Sequence, residues 1–260
     1  YSAADLSGVT RQAYAPEIRI IRLMCTGRVD LAFVLRAFEK GADGVIVGGC
    51  WLGECHYVTE GNYYALNMMH LAKKLLEHAG VNPERLRIEW ISAAEGVRFA
   101  EIMNDFSGQL RKMGPVGAAA GEKGNGDELH ARLEDIRTLV PYIKIAKREK
   151  LAQRLEREED YDTFYTPDEI ETLLTDLPSY HIDPAQCQAC MICLRKCPVH
   201  GIEGGKGLIH VIDQELCIRC GTCYEACPEK FGAISMIHGA VPPPIPTEER
   251  TVVRKGGSGG

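Results

Sequence analysis

Two runs of cysteine carry the strongest chemical signal in this sequence. They read Cys187-x-x-Cys190-x-x-Cys193-x-x-x-Cys197-Pro198 and Cys217-x-x-Cys220-x-x-Cys223-x-x-x-Cys227-Pro228, and they take eight of the 11 cysteines. A thiolate at every third position of a tight loop lets three sulfurs close on one cubane, while the fourth, beside proline, turns away to the other cluster. The spacing therefore predicts two [4Fe–4S] clusters. Cys187, Cys190, Cys193 and Cys227 are expected on the first, and Cys217, Cys220, Cys223 and Cys197 on the second. Structural zinc takes four ligands in total, so three closely spaced thiols plus a fourth before proline fit it poorly, and a disulfide framework fits less well still. Thiols of this kind need reducing conditions.

With those runs in place, residues from about Tyr180 to Ile237 resemble a bacterial-type two-cluster ferredoxin. The resemblance implies a small α+β module over residues 180–238. The preceding residues 116–179 read as a linker and helical connector, and residues 239–260 as an extended or disordered tail.

The remaining three cysteines depend on the elements around them. Ile18 to Met24 reads as a strand, and Asp30 as the cap of a helix with Phe33, Val34, Ala37 and Phe38 on one face, ended by Gly41. Val45-Ile46-Val47 reads as a second strand, followed by a helix from about Tyr63 to Ala79 and a stop at Gly80. Leu86 to Ile91 reads as a third. Ser92-Ala93-Ala94-Glu95 has the form of a capping box opening a helix with Phe99, Ile102, Met103, Phe106 and Leu110 as its stripe, stopped by Gly114-Pro115. This alternation predicts an α/β domain with a parallel sheet and flavodoxin-like order over residues 1–115. Cys25 and Cys50 then fall in loops at the carboxyl edge of the sheet, where such folds place chemistry. Cys55 follows in a glycine-rich loop. Free cysteines are most often small buried hydrophobes, but three in loops at one sheet edge point to a shared site.

Here a second resemblance enters. Met24-Cys25-Thr26-Gly27-Arg28-Val29-Asp30, Gly41-Ala42-Asp43-Gly44-Val45, Gly49-Cys50 through Cys55-His56-Tyr57, and Ser92-Ala93-Ala94-Glu95-Gly96 resemble the delta subunit of the methyl-viologen-reducing (F420-non-reducing) hydrogenase. The resemblance implies a [2Fe–2S] cluster on Cys25, Cys50 and Cys55, with a fourth ligand upstream of Tyr1. His56, adjoining Cys55, is the other candidate to complete the set, and zinc on Cys25, Cys50, Cys55 and His56 has the ligand count of a structural site. The family links a hydrogenase or formate dehydrogenase to heterodisulfide reductase. The implied partners are therefore hydrogenase or formate dehydrogenase subunits and the flavin-bearing subunit of a heterodisulfide reductase-type bifurcating complex. The extra ferredoxin module offers a contact for another donor, for a ferredoxin or for a neighbouring copy.

Further along, Asp127 to Asp160 reads as a charged helical connector with Leu129, Leu133, Ile136, Val140 and Ile143 as its stripe, kinked or split at Pro141. Lys147 to Asp160 reads as a solvated helix face. Thr166-Pro167 opens a further helix. Val241 to Pro246 reads as extended, polyproline-like chain, and Gly256 to Gly260 as disordered.

A net charge of -6 and a pI near 5.8 argue against a nucleic-acid role. No run approaches the length of a membrane span and no signal pattern opens the chain, so a cytoplasmic location is expected, and the resemblance implies a place in a hetero-oligomer. Neither a phosphate loop, a G-x-G-x-x-G after a strand nor a nucleophile elbow is present. The expected role is a non-catalytic electron-transfer component of an oxidoreductase complex, without turnover of its own. The competing expectation is an assembly or scaffold protein with a zinc N-terminal site and structural clusters.

Overall fold

Glycine and proline punctuate the chain where the helices and strands end. In chain order these are α1 (Ser2–Val9), α2 (Leu31–Glu39), β1 (Val45–Gly49), α3 (Asn62–Ala79), β2 (Leu86–Trp90), α4 (Gly96–Met113), α5 (Gly126–Thr138), α6 (Val140–Ala146), α7 (Arg148–Ala152) and α8 (Pro167–Thr175). There follow β3 (Pro178–Ile182), α9 (Ile192–Lys196), β4 (Ile202–Gly205), β5 (Leu208–Ile212), α10 (Thr222–Ala226) and β6 (Ile234–His238). The structure, a computed structural model, describes residues 1–58 and 60–252. The expectation for Gly256 to Gly260 lies outside the described residues. The chain divides into two compact units: Tyr1–Val140 with Ala146–Thr172, and Pro141–Ile145 with Leu173–Gly260.

In the first unit β1 and β2 pair in parallel, Val45 opposite Leu86 through Gly49 opposite Trp90. A parallel pair needs cover on its faces, and helices supply it. Helix α3 sets a broad apolar face against a polar one of Lys73, Lys74, Glu77 and His78, and the apolar face is buried, with Ala65, Leu66, Met69, Leu71, Leu75 and Leu76 all at 0% exposure. Each such Leu or Met contributes about 1.5–3 kcal/mol relative to an exposed one. Helix α2 is capped by Asp30, whose carboxylate accepts from the Ala32 amide at 2.9 Å. Its buried stripe is Leu31, Val34, Leu35 and Phe38, while Phe33 is 59% exposed. The face expected around Phe33 and Ala37 is thus rotated by one position toward Leu31 and Leu35.

Ile18 to Met24 forms no strand. Arg19 and Arg22 interrupt the apolar run, and Ile21 and Met24 are 83% and 80% exposed, so the segment lacks the two-sided burial of a central parallel strand. Helix α4 begins at Gly96 instead of at the expected capping box. Glu95 does reach back to the Ser92 amide at 2.6 Å, but the Ser92–Glu95 segment is a turn that precedes the helix. Phe99, Ile102, Met103 and Phe106 are buried as the periodicity requires.

The glycine-rich stretch after α4 is pinned to this unit by a buried ion pair. Arg85 Nε lies 2.6 Å from Glu122 Oε1, and both side chains are 0% exposed. Arg85 also donates to the carbonyls of Asp43, Gly114 and Pro115, and Glu122 accepts from the amides of Asn82, Gly117 and Ala119. The charges are thereby hydrogen-bonded on all sides, which is the condition for burying them.

A capping box at Asn125 and Glu128 starts α5, which packs on α2 with Arg137 paired to Glu39. The connector splits just before Pro141, as expected, because proline lacks the amide the helix needs there. Residues 147–160 depart from a solvated helix. Only α7 is helical; Leu151 is 1% exposed, and Lys147 and Lys150 both pair with Glu169 at 2.5 and 2.6 Å. Asn67 in α3 fixes this segment by donating to the carbonyls of Lys150, Leu151 and Gln153.

In the second unit β3 pairs antiparallel with β6 and β4 with β5, and each cysteine loop leads into a short helix, α9 or α10. The stretch Val241–Pro246 continues into a backbone pairing with β5: the Ile209 amide donates to Arg250 O at 2.6 Å and the Val252 amide to Gly207 O at 2.9 Å. Ile245 and Val252 pack on the core of this unit, so the extended tail folds back on its own module. Among the described residues no helix is long and apolar enough to cross a membrane.

Candidate iron–sulfur sites

The first site stands at the carboxyl end of the β1–β2 pair. Cys50 leaves β1 directly, and Trp51 after it donates from Nε1 to Glu95 Oε2 at 2.9 Å. That bond ties the loop after β1 to the loop after β2, and the Ser92 amide and then the Trp51 indole hold the Glu95 carboxyl below its ordinary range. Asn62, at the start of α3 and 0% exposed, donates to Cys50 O at 2.9 Å and Trp51 O at 2.7 Å, with Nδ2 3.8 Å from Cys50 Sγ. Cys25 enters through a helical turn at Thr26–Arg28.

Two glycines let these loops close on one another. A Cβ on Gly27 would fall 1.8 Å from Glu60 O, and one on Gly61 would fall 2.3 Å from both Cys55 Sγ and Tyr57 O. The result is that Cys55 hydrogen-bonds both Cys25 and Cys50, and Cys25 acts electrostatically on Cys50. Burial, followed by the neighbouring thiols, pushes Cys50 up to about 11. Burial also raises Cys25. At Cys55 burial is outweighed by amide hydrogen bonds from Asn62 and Tyr57 and by the two thiols, and its pKa lies below the ordinary thiol value. His56 instead packs edge-on against Tyr57 and is not among the groups acting on the three thiols. Among the described residues no three His, Cys, Asp or Glu side chains are arranged about a single metal ion.

The second and third sites lie in the ferredoxin-like unit. In the first loop Ala189 and Met191 adopt positive φ of 50° and 67°, and at the repeated positions Arg219 and Gly221 adopt 57° and 75°. Alternation of this kind turns backbone amides inward and makes a concavity for anionic sulfur. Cys187, Cys193 and Cys223 are buried, whereas Cys190 is exposed. Burial pushes Cys193 up to about 11, with Cys187, Cys190 and Cys227 adding to the effect. Cys227, from the end of the second run, is thus among the thiols that act on Cys193. Burial likewise pushes Cys223 up to about 12, with Cys217 and Cys220 beside it, and raises Cys217, which also feels Cys197. Such thiols would stay protonated in isolation; Fe³⁺ or Fe²⁺ bound as a sulfide cluster supplies the positive charge that makes thiolates of them. The donor set and its amide lining fit iron–sulfur clusters.

Sequence reasoning missed one neighbour of these cysteines. His210 on β5 is 1% exposed, and its Nδ1 lies 3.3 Å from Cys193 Sγ. Burial lowers its pKa, against a smaller opposing effect of the Gly205 backbone.

Comparison with known proteins covers these parts of the chain. Residues 1–114 match the family described as methyl-viologen-reducing hydrogenase, delta subunit, and residues 210–231 match the 4Fe-4S binding domain. The latter match spans the second cysteine run; the first run stands on its own spacing. The iron-sulfur subunit of an F420-non-reducing hydrogenase from Archaeoglobus profundus is 52% identical over 115 residues, 44% of this chain and 83% of that protein. The vhc iron-sulfur subunit of an F420-non-reducing hydrogenase from Methanococcus voltae is 47% identical over 44% of this chain and 79% of its own length. One subunit of the ferredoxin/F420H2-dependent CoB-CoM heterodisulfide reductase of Methanosarcina acetivorans is 48% identical over 118 residues, 45% of this chain but 15% of that much longer protein. By residues 1–114, the chain belongs to the delta-subunit family of the methyl-viologen-reducing hydrogenase, and it carries a 4Fe-4S binding domain in addition.

Proposed function

We propose that the chain is an electron-carrying subunit that relays electrons between a hydrogenase or formate dehydrogenase and the flavin-bearing subunit of a heterodisulfide reductase-type complex. The observation that supports this reading is the contact of Cys25, Cys50 and Cys55 beside two cysteine runs of identical spacing, with backbone amides bonded to Cys55, Cys193 and Cys217. Cys187, Cys190, Cys193 and Cys227 ligate one [4Fe–4S] cluster, and Cys217, Cys220, Cys223 and Cys197 a second. Cys25, Cys50 and Cys55 contribute to a [2Fe–2S] cluster on the domain of residues 1–115, ahead of the connector at 116–179 and the ferredoxin domain at 180–238. Bound there, the clusters supply one-electron transfer. The protein surrounds their sulfurs with amides, orients the thiolates and limits water, the three levers that set a potential.

The likeness to proteins named for hydrogenase and for heterodisulfide reductase supports the choice of partners. The test is anaerobic affinity purification of the tagged chain from its own cells, with partners identified by mass. Recovery of hydrogenase or formate dehydrogenase subunits together with a flavoprotein supports the relay. Recovery of the chain alone, or steady substrate reduction by the isolated chain, overturns it.

A further inference from the structure

The two cysteine runs are internal repeats, and at the same offset Tyr180 on β3 corresponds to His210 on β5. Each is followed by an Ile-Asp pair, Ile182-Asp183 or Ile212-Asp213, and then by its cysteine run. Each lies against the run of the opposite half. A Cβ on Gly221 would fall 2.8 Å from Tyr180 Oη, between Cys220 and Cys223 in sequence, while His210 lies against Cys193.

The two residues make different bonds from equivalent places. Tyr180 Oη donates to Met236 Sδ at 3.9 Å and leaves the thiols without its hydrogen. His210 faces Cys193 Sγ with Nδ1 at 3.3 Å, and its Nε2 is buried without a hydrogen-bond partner. A hydrogen on Nδ1 gives the sulfur a donor; the opposite tautomer would set a lone pair against a thiolate. The ring is also held in place. The register of β4 against β5 shifts between Glu203 and Gly205, and a Cβ on Gly204 would fall 2.2 Å from His210 Cδ2. The bulge and the absent side chain open room for the imidazole and fix its plane.

We propose that His210 is a positioning residue that donates an Nδ1–H hydrogen bond to Cys193 Sγ and so raises the reduction potential of the cluster held by Cys187, Cys190, Cys193 and Cys227. The inference rests on the reading of two [4Fe–4S] clusters in residues 180–238. Reduction adds one negative charge to a cluster and its thiolates, and a donor to sulfur stabilises that charge. Tyr180 gives no such bond to the other set, where the hydroxyl of Thr222 lies 3.3 Å from Cys220 Sγ instead. The step is a one-electron reduction with no atom transferred.

The experiment is potentiometric titration followed by EPR on the full chain purified anaerobically, with dithionite as the source of electrons. Iron and sulfide analysis accompanies every sample. His210→Phe is expected to lower one [4Fe–4S] potential by at least a tenfold change in its reduction equilibrium, about 59 mV for one electron. The affected signal should be the one altered by Cys190→Ser. His210→Asn, whose amide nitrogen takes the place of Nδ1, should recover most of the fall, and Tyr180→Phe should move neither potential. Should His210→Phe lose iron, Gly204→Ala displaces the ring without removing it and must lower the same potential. An unchanged potential with both clusters present, or equal falls in the Phe and Asn variants, overturns the inference alone. A wild-type chain without two [4Fe–4S] clusters overturns the reading beneath it.

Discussion

Replacing Glu122 by alanine would leave the Arg85 guanidinium charged and 0% exposed, with its carbonyl partners but without a counter-charge. Arg85 would lose bonds of 2.6 and 3.1 Å, and the amides of Asn82, Gly117 and Ala119 would lose their acceptor at 3.1, 2.8 and 3.0 Å. Breaking a buried pair by removing one partner costs about 3–5 kcal/mol. In a unit of this size each kcal/mol lowers Tm by about 2–4 °C, so a fall of about 6–20 °C is expected. Both tryptophans, Trp51 and Trp90, belong to the unit that holds the pair, so thermal unfolding followed by tryptophan fluorescence reports on that unit. Removing both charges together, as Arg85→Met with Glu122→Leu, should cost less than Glu122→Ala alone, because no uncompensated charge remains. Burial opposes ionisation of Glu122, but Arg85 and the amides hold its pKa below the ordinary value of 4.5. The pair's contribution is therefore fully present above pH 4.5 and is lost only as pH falls through the lower folded value. A cost below about 1 kcal/mol, the worth of an exposed pair, would refute the reasoning.

Gly61→Ala should empty the N-terminal site while all three thiols remain, since its Cβ would fall 2.3 Å from Cys55 Sγ and from Tyr57 O. Iron analysis and Tm should show that loss together with about 1–3 kcal/mol of destabilisation; full loading at wild-type Tm would count against it. Gly108→Ala, in the middle of α4 with nothing within 4 Å of its Cβ, should instead stabilise by about 0.4–1 kcal/mol and leave iron unchanged. His70, stacked on Tyr161, is pushed down to about 4 by burial despite Asp162, so the folded chain resists its protonation. Stability should fall as pH drops from 6.5 toward 4, and His70→Phe should flatten that part of a Tm-against-pH profile; an identical slope in the variant would refute this.

The helices and the cysteine loops were legible in the sequence because their signals are local. Periodicity located α3 and α4, Asp30 and Thr166 announced their helices, and Pro141 marked a break. Ile18 to Met24 was misread because an apolar run specifies a strand only when neighbours pair with it and cover it, and Ile21 and Met24 gain no such cover. The helix face at Phe33 was misplaced for a related reason: Leu31 and Leu35 compete for the same stripe, and only the packing of α2 decides between them. The Arg85–Glu122 pair and the contact of His210 with Cys193 join residues far apart in sequence, and neither residue carries a local motif. Equivalence to Tyr180 in the repeat was the one signal by which His210 could have been found.

The measurement that bears most directly on the electron-carrier reading is metal and sulfide analysis of the natural protein purified without oxygen, joined to EPR of its dithionite-reduced form. About ten irons per chain are expected, two for the N-terminal site and four for each ferredoxin cluster, with acid-labile sulfide to match and both [2Fe–2S] and [4Fe–4S] signals. One zinc with eight irons, or a reduced spectrum lacking the [2Fe–2S] signal, would contradict the three-cluster relay.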